Sequence, residues 1–269
     1  MKKTEKYIYL VIILILLVVI SCGITYILAT NKNNEETKEE NNESNNKQEG
    51  ENNNQNNEEE ITLSEEELKE YLKYIPKDII NEEQNMYINP KQNDNLSNQL
   101  LLGATLNYAD NYTDLRKETE SGDEFLFPKD EIRKLMKKLY DKEIVSIKEL
   151  EFGCVIYSED NNNYKQSGGC GTDVEHISSI KEYKATKNEL VIYEYAAYYN
   201  EFDNKIGNYY TSEEMDLDGW CGNTSYEEKK EILENYLKVH SDEFTLYKHT
   251  FKKNDTGYYW YSTEIASEE

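Results

Sequence analysis

Residues 244–262 read FTLYKHTFKKNDTGYYWYS, and this stretch decides the fold class. Both of its arms are rich in Tyr, Phe and Thr, residue types that favour β-strands. Residues 254–257, Asn-Asp-Thr-Gly, supply a tight turn between them. The stretch therefore predicts a β-hairpin. Upstream, residues 190–199 (LVIYEYAAYY) predict a longer strand, and residues 152–167 predict strand, turn and strand.

Helical signals occur on both sides of these strands. Ser64 and Glu67 form a capping box ahead of an apolar stripe. Residues 96–109 carry apolar side chains near helical spacing, and Pro128 opens a third helix with a clean apolar stripe. Residues 227–240 predict a fourth helix. We expect the stripes of the first three helices to face a core, because amphipathic helices usually bury their apolar side.

These elements predict an α+β fold with an antiparallel, Tyr-rich sheet packed by a helix. Residues 61–144 are expected to form a mainly helical subdomain. Residues 145–269 are expected to form an α+β subdomain that ends in the hairpin. Whether the two segments are one domain or two is left open by the pattern.

The N-terminal part predicts a membrane anchor. Residues 7–29 contain no charge, and about 23 residues of helix cross a hydrocarbon core about 30 Å thick. Lysines in residues 1–6 make this short N-terminus cytoplasmic and the rest of the chain extracytoplasmic. The alternative is a lipid anchor at Cys22, within a loosely lipobox-like run. Residues 30–60, rich in Asn and Glu, are expected to form a disordered linker.

The charge of the chain excludes one class of partner. The sequence has 54 Asp and Glu against 30 Lys and Arg, a formal net charge of −24. Such a chain repels phosphate backbones, so no nucleic-acid partner is predicted. The predicted partners are the membrane, through residues 7–29, and a glycan or protein of the cell envelope.

Three cysteines follow the predicted anchor. An oxidising compartment permits disulfides there. A hairpin centred on Asn162 would place Cys154 opposite Cys170, close enough for a disulfide. Cys221 is the alternative partner for either one. No metal-ligand spacing or Cys–His signature accompanies these cysteines, so no catalytic residue is predicted.

One acidic run resembles a calcium-binding loop. Glu214, Asp216 and Asp218 stand at its first, third and fifth positions, and Gly219 at the sixth. The twelfth position is Ser225 instead of the usual glutamate. The run is therefore a weak calcium candidate, and an ordinary acidic turn is the alternative. No other cofactor is predicted.

Enzyme signatures are thin, which favours a binding or structural module. Ser178 and Lys181 satisfy S-x-x-K, but the companion motifs of penicillin-binding enzymes are missing. The alternative is a cell-envelope hydrolase acting on peptidoglycan or peptides. Aromatic side chains are the weak candidate for ligand contact, since tyrosine combines apolar area with a polar tip. The patch comprises Tyr258, Tyr259, Trp260 and Tyr261.

The layout resembles the uncharacterised single-span extracytoplasmic proteins of A+T-rich Gram-positive-type bacteria. The shared features are the basic N-terminus, one apolar helix and an Asn/Glu-rich stalk. Two stretches of the ectodomain add to the resemblance, the GGCG run at residues 168–171 and the hairpin sequence TFKKNDTGYYWYS. The resemblance implies no activity.

Overall fold

The computed structural model describes residues 60–78, 81–119, 124–169, 174–217 and 226–266. The predicted membrane helix, nearly all of the predicted linker, and Cys22 lie outside these residues. Within the described ranges no helix is both long and apolar enough to span a membrane.

Four α-helices form within the described residues, and each agrees with a predicted segment. They are α1 (Glu65–Leu72), α2 (Asn98–Tyr112), α3 (Lys129–Tyr140) and α4 (Tyr226–Val239). The capping box is present: Ser64 Oγ accepts from the Glu67 amide at 3.2 Å, and Glu67 Oε2 accepts from the Ser64 amide at 2.8 Å. These bonds satisfy amide groups that have no partner inside the helix.

Gly103 lies inside α2, where glycine normally weakens a helix. Its place is explained by close packing. A Cβ at this position would lie 2.6 Å from Cδ2 of Phe152, whose side chain is buried against the helix. The glycine therefore lets the helix and the strand that carries Phe152 approach closely.

A five-stranded antiparallel sheet has the order β1-β2-β5-β4-β3. Its strands are β1 (Lys117–Glu118), β2 (Phe125–Pro128), β3 (Leu150–Phe152), β4 (Val155–Glu159) and β5 (Asn163–Ser167). The predicted hairpin is present as β4 and β5, but its register differs by one residue, because Ile156 pairs with Ser167. The Asp160 carboxylate accepts from the amides of Asn162 and Asn163, both at 2.8 Å. It thereby closes a turn centred between Asn161 and Asn162.

A six-stranded antiparallel sheet contains the longer strands. Its main path is β11-β10-β7-β8-β9, with β6 on the other edge of β7. The strands are β6 (Val174–Ala185), β7 (Glu189–Asn200), β8 (Lys205–Asn208), β9 (Glu214–Asp216), β10 (Leu246–Asn254) and β11 (Gly257–Ile265). The predicted C-terminal hairpin and central strand are confirmed, whereas β6 was not predicted.

The two faces of β7 belong to two hydrophobic cores. Tyr195 and Tyr199 point into the smaller core with Leu233 and Leu237 of α4. Ile192 points the other way, into the larger core.

The larger core joins both predicted subdomains. It contains Leu68, Leu101 and Ile132 from the helices together with Ile192 and Trp260 from the sheet. The segments predicted as 61–144 and 145–269 thus share one core within one compact unit.

Candidate functional site

The predicted aromatic patch is divided between the core and the outside. Trp260 has no exposed surface, and Tyr258 is 6% exposed. Tyr259 and Tyr261 alternate with them along β11 and are partly exposed. The Nζ atom of Lys252 lies 3.1 Å from the centroid of the Tyr261 ring. The four side chains therefore do not form one binding surface.

Two of the three acidic residues of the calcium candidate lie among the described residues. Glu214 and Asp216 lie in β9, which pairs with β8, and Asp218 lies outside the described residues. The Glu214 carboxylate accepts from the Tyr198 hydroxyl at 3.1 Å and from Lys205 Nζ at 3.2 Å. The part of the chain that the structure describes contains no group of three acidic, His or Cys residues able to hold a metal ion.

Only one of the three cysteines in the disulfide prediction belongs to the described residues. Cys154 lies in the turn before β4, but Cys170 and Cys221 both lie outside the described residues. The pairing of Cys154 with Cys170 stays a prediction.

A buried polar cluster, absent from the sequence predictions, lies on the large-core face of the six-stranded sheet. Its centre is Glu194 on β7, which has no exposed surface. The hydroxyl of Tyr87 donates to Glu194 Oε1 at 2.6 Å. His249 Nε2 on β10 lies 3.0 Å from the same oxygen. Glu194 Oε2 has no hydrogen-bond partner among the described residues.

The neighbouring strand fixes the His249 ring. Because His249 pairs with Thr263 of β11 across the strands, Nδ1 lies 2.9 Å from Thr263 Oγ1. The indole N–H of Trp260 donates to the same hydroxyl oxygen at 3.1 Å. These contacts hold the imidazole next to Glu194.

A second histidine lies on the other side of Tyr87. The ring centroids of His176 and Tyr87 are 4.7 Å apart. His176 Nδ1 lies 3.1 Å from the Tyr209 hydroxyl, and its Nε2 is buried without a hydrogen-bond partner among the described residues. Tyr209 also stacks on Tyr87, at 5.5 Å between centroids.

The electrostatics of the cluster hold one negative charge inside the protein. Burial alone would raise the pKa of the Glu194 carboxyl, but His249 and the Tyr87 hydroxyl outweigh it and lower that pKa to about 2. Burial lowers the pKa of His176 well below its usual value, so this ring is neutral at pH 7. Burial raises the pKa of Tyr87, so its hydroxyl stays a donor.

An open cleft lies next to this cluster. Its volume is about 610 Å³, and it is bounded by α1 and the residues that follow it, by α2, by the start of β6 and by α4. His176 belongs to its wall. Glu194 does not reach solvent. The cleft therefore meets the buried cluster at His176.

The cleft is rich in lysine although the chain as a whole is acidic. Lys69 and Lys73 come from α1, Lys77 from the segment after it, and Lys230 from α4. Burial lowers the pKa of the half-buried Lys77 to about 8. Glu194 opposes this effect and raises the pKa of Lys77.

No family model, no curated protein and no solved structure matches the chain. Function is therefore argued from the cleft and from the groups around it.

Sequence reasoning did not predict the cluster of Glu194, Tyr87, His249 and His176, although one signal was present. Glu194 is the only charged residue in LVIYEYAAYY, and a charge inside a buried strand requires a partner. His249 is likewise a polar residue near the middle of a strand, β10. Tyr87 and His176 carry no comparable signal.

Proposed function

We propose that this chain is a membrane-tethered extracytoplasmic protein whose folded part binds a ligand of the cell envelope in the cleft. The observation that carries the proposal is the cleft itself. At about 610 Å³ it has the volume typical of small-molecule sites. Apolar and aromatic side chains such as Leu72, Tyr108 and Phe152 line it beside the lysines and His176, which is the mixed lining such sites use.

Binding is favoured over hydrolysis by the state of Glu194. A general acid works best with a pKa near the working pH. With a pKa of about 2, Glu194 holds no proton to donate at neutral pH, and its burial keeps it from any ligand. The Ser178 and Lys181 pair of the S-x-x-K motif does not support hydrolysis either. Ser178 lines the cleft, whereas Lys181 Nζ lies 5.8 Å from the ring centroid of Tyr195, which belongs to the opposite face of the sheet.

A cell-envelope hydrolase is the second candidate, and one observation favours it. His176 and Ser178 both line the cleft from the same face of β6. Alternate residues of a strand are about 7 Å apart, however, and His176 Nδ1 already faces Tyr209. A Ser–His pair would require the imidazole to leave that contact.

Affinity capture distinguishes the two candidates. The full chain, solubilised in mild detergent and immobilised, is exposed to cell-wall and envelope-protein fractions of a Gram-positive bacterium. Retained glycans and peptides are then weighed by mass spectrometry. We expect retention without any change of mass. Cleaved products would contradict the binding proposal and identify the bond that is cut.

Two matched tryptophan variants show whether the cleft is the site. Asn111→Trp places a large ring at an exposed position of the cleft wall and should abolish retention. Lys187→Trp places the same ring in the exposed turn at the far end of β6 and should leave retention unchanged. Equal retention by both variants would show that the ligand binds elsewhere.

A further inference from the structure

We propose that the cleft binds its ligand through a single carboxylate group held between Lys77 and Lys230, beside His176. This inference rests on the proposed function and specifies the chemistry of the ligand. It depends on which cationic groups of the cleft already have anionic partners and which do not.

Two of the four lysines in the cleft are already paired. Lys69 Nζ lies 3.1 Å from Glu65 and 3.3 Å from Glu234. Lys73 forms an ion pair with Glu70.

The other two lysines differ in their ion pairing. Neither Lys77 nor Lys230 forms an ion pair with an acidic side chain among the described residues. Both line the cleft, and each acts electrostatically on His176. An anion placed in the cleft would therefore meet two cations that lack a bound counter-charge.

Lys77 has the stronger requirement for an anion. Burial, together with the neighbouring Lys230 and Lys73, lowers its pKa to about 8, although Glu194 opposes them. A partly desolvated ammonium without a close counter-ion is costly. An anion in the cleft would offset that cost and restore the charge of the lysine.

His176 supplies a neutral donor at the same place. Its ring is uncharged at pH 7, because burial lowers its pKa. When Nδ1 accepts the hydrogen bond from the Tyr209 hydroxyl, Nε2 carries the ring proton. Nε2 is buried and has no partner among the described residues, so a carboxylate oxygen that reached it would satisfy an unpaired donor.

The acidic side chains of the cleft limit the charge of the ligand. Asp78, Glu175 and Glu234 share the cleft with the two unpaired lysines. They would repel a dianionic phosphate more strongly than a carboxylate, which carries one charge. The apolar and aromatic wall favours an apolar group next to the carboxylate. A monocarboxylate with an apolar body fits both features.

Benzoate and benzamide form a matched pair of probes, because they share a ring and differ in charge. Each is titrated into the full chain in detergent at pH 7 by isothermal calorimetry, with inorganic phosphate as the third probe. We expect benzoate to bind at least about tenfold more tightly than benzamide or phosphate. Equal affinity for benzoate and benzamide would overturn the carboxylate site and leave ligand capture by the cleft intact. Tighter binding of phosphate would overturn the choice of a carboxylate, and so would failure of benzoate to bind.

Lysine variants identify the groups involved. Lys77→Met and Lys230→Met should each weaken benzoate by about tenfold or more, whereas Lys73→Met, which removes a paired lysine from the same cleft, should change it less than about threefold. Lys77→Met removes a costly buried charge, so we expect it to melt no lower than the unmodified chain, which excludes misfolding as the cause. Equal losses in all three variants would overturn the assignment to Lys77 and Lys230.

The pH dependence provides a readout that a structural role would not affect. Lys77 must be protonated to hold the carboxylate. Affinity for benzoate should therefore be constant near pH 6–7 and fall as pH rises through about 8. A flat profile up to pH 10 would contradict a role for Lys77.

Discussion

Replacing Tyr87 by Phe removes one hydrogen bond from the buried cluster and little else. The ring remains to pack on His176 at 4.7 Å and on Tyr247 at 5.1 Å between centroids. What is lost is the 2.6 Å bond from the hydroxyl to Glu194 Oε1. A hydrogen bond to a charged, buried group contributes about 1.5–3 kcal/mol. We therefore expect Tyr87→Phe to lower the free energy of unfolding by about 2 kcal/mol at pH 7.

The structure offers a matched control at the surface. The hydroxyl of Tyr198 also donates to a glutamate, Glu214, at 3.1 Å, but that bond is exposed. Exposed pairs of this kind contribute little because water competes for both groups. Tyr198→Phe should therefore cost less than about 0.5 kcal/mol.

Urea unfolding followed by tryptophan fluorescence measures both variants. The difference for Tyr87→Phe should be largest near pH 7 and shrink in acid, because the hydroxyl stabilises the ionised carboxyl and that charge is lost on protonation. Equal losses for the two variants, or a loss for Tyr87→Phe that does not depend on pH, would refute the assignment of the bond to an ionised Glu194.

Three further predictions concern acid, packing and oxidation. The folded pKa of Glu194, about 2, lies below its ordinary value of 4.5. Roughly 3 kcal/mol of stability that is present above pH 4.5 should therefore disappear as pH falls towards 2. In urea titrations, Glu194→Gln should lack this pH-dependent part of the free energy of unfolding. Gly103→Ala should destabilise by about 1–3 kcal/mol through overlap with Phe152, and adding Phe152→Leu should recover part of the loss in thermal melts. Non-reducing peptide mapping should recover Cys154 linked to Cys170, and any other pairing would contradict the prediction.

The helices and the C-terminal hairpin were predictable because their signals are local. The capping box needs only Ser64 and Glu67, and the hairpin needs only its two aromatic arms and their turn. Strand β6 was missed because its sequence, VEHISSIKEYKA, mixes charges with apolar residues. It pairs only with β7 among the described strands and is half-exposed along much of its length. A strand at the edge of a sheet tolerates polar side chains that would disrupt a central one.

The candidate site was not predictable because its members are distant in sequence. Tyr87 and Glu194 are 107 positions apart, and a cross-strand register brings His249 next to them. The cleft depends on how α1, α2, α4 and the start of β6 come together, which no local pattern specifies. The same is true of the register of β4 and β5, since the side chain of Asp160 sets the centre of the turn.

We expect the buried cluster and the cleft to be linked by charge. Glu194 raises the pKa of Lys77 against the effect of burial, so the internal negative charge keeps a desolvated lysine protonated near neutral pH. Glu194→Gln removes that charge and retains the shape of the side chain. The pH at which benzoate binding falls should then move below the value of about 8 expected for the unmodified chain. Calorimetric titrations of both proteins between pH 6 and 9 measure this shift. An unchanged midpoint would show that the two sites are independent, and would leave Glu194 as a purely structural member of the core.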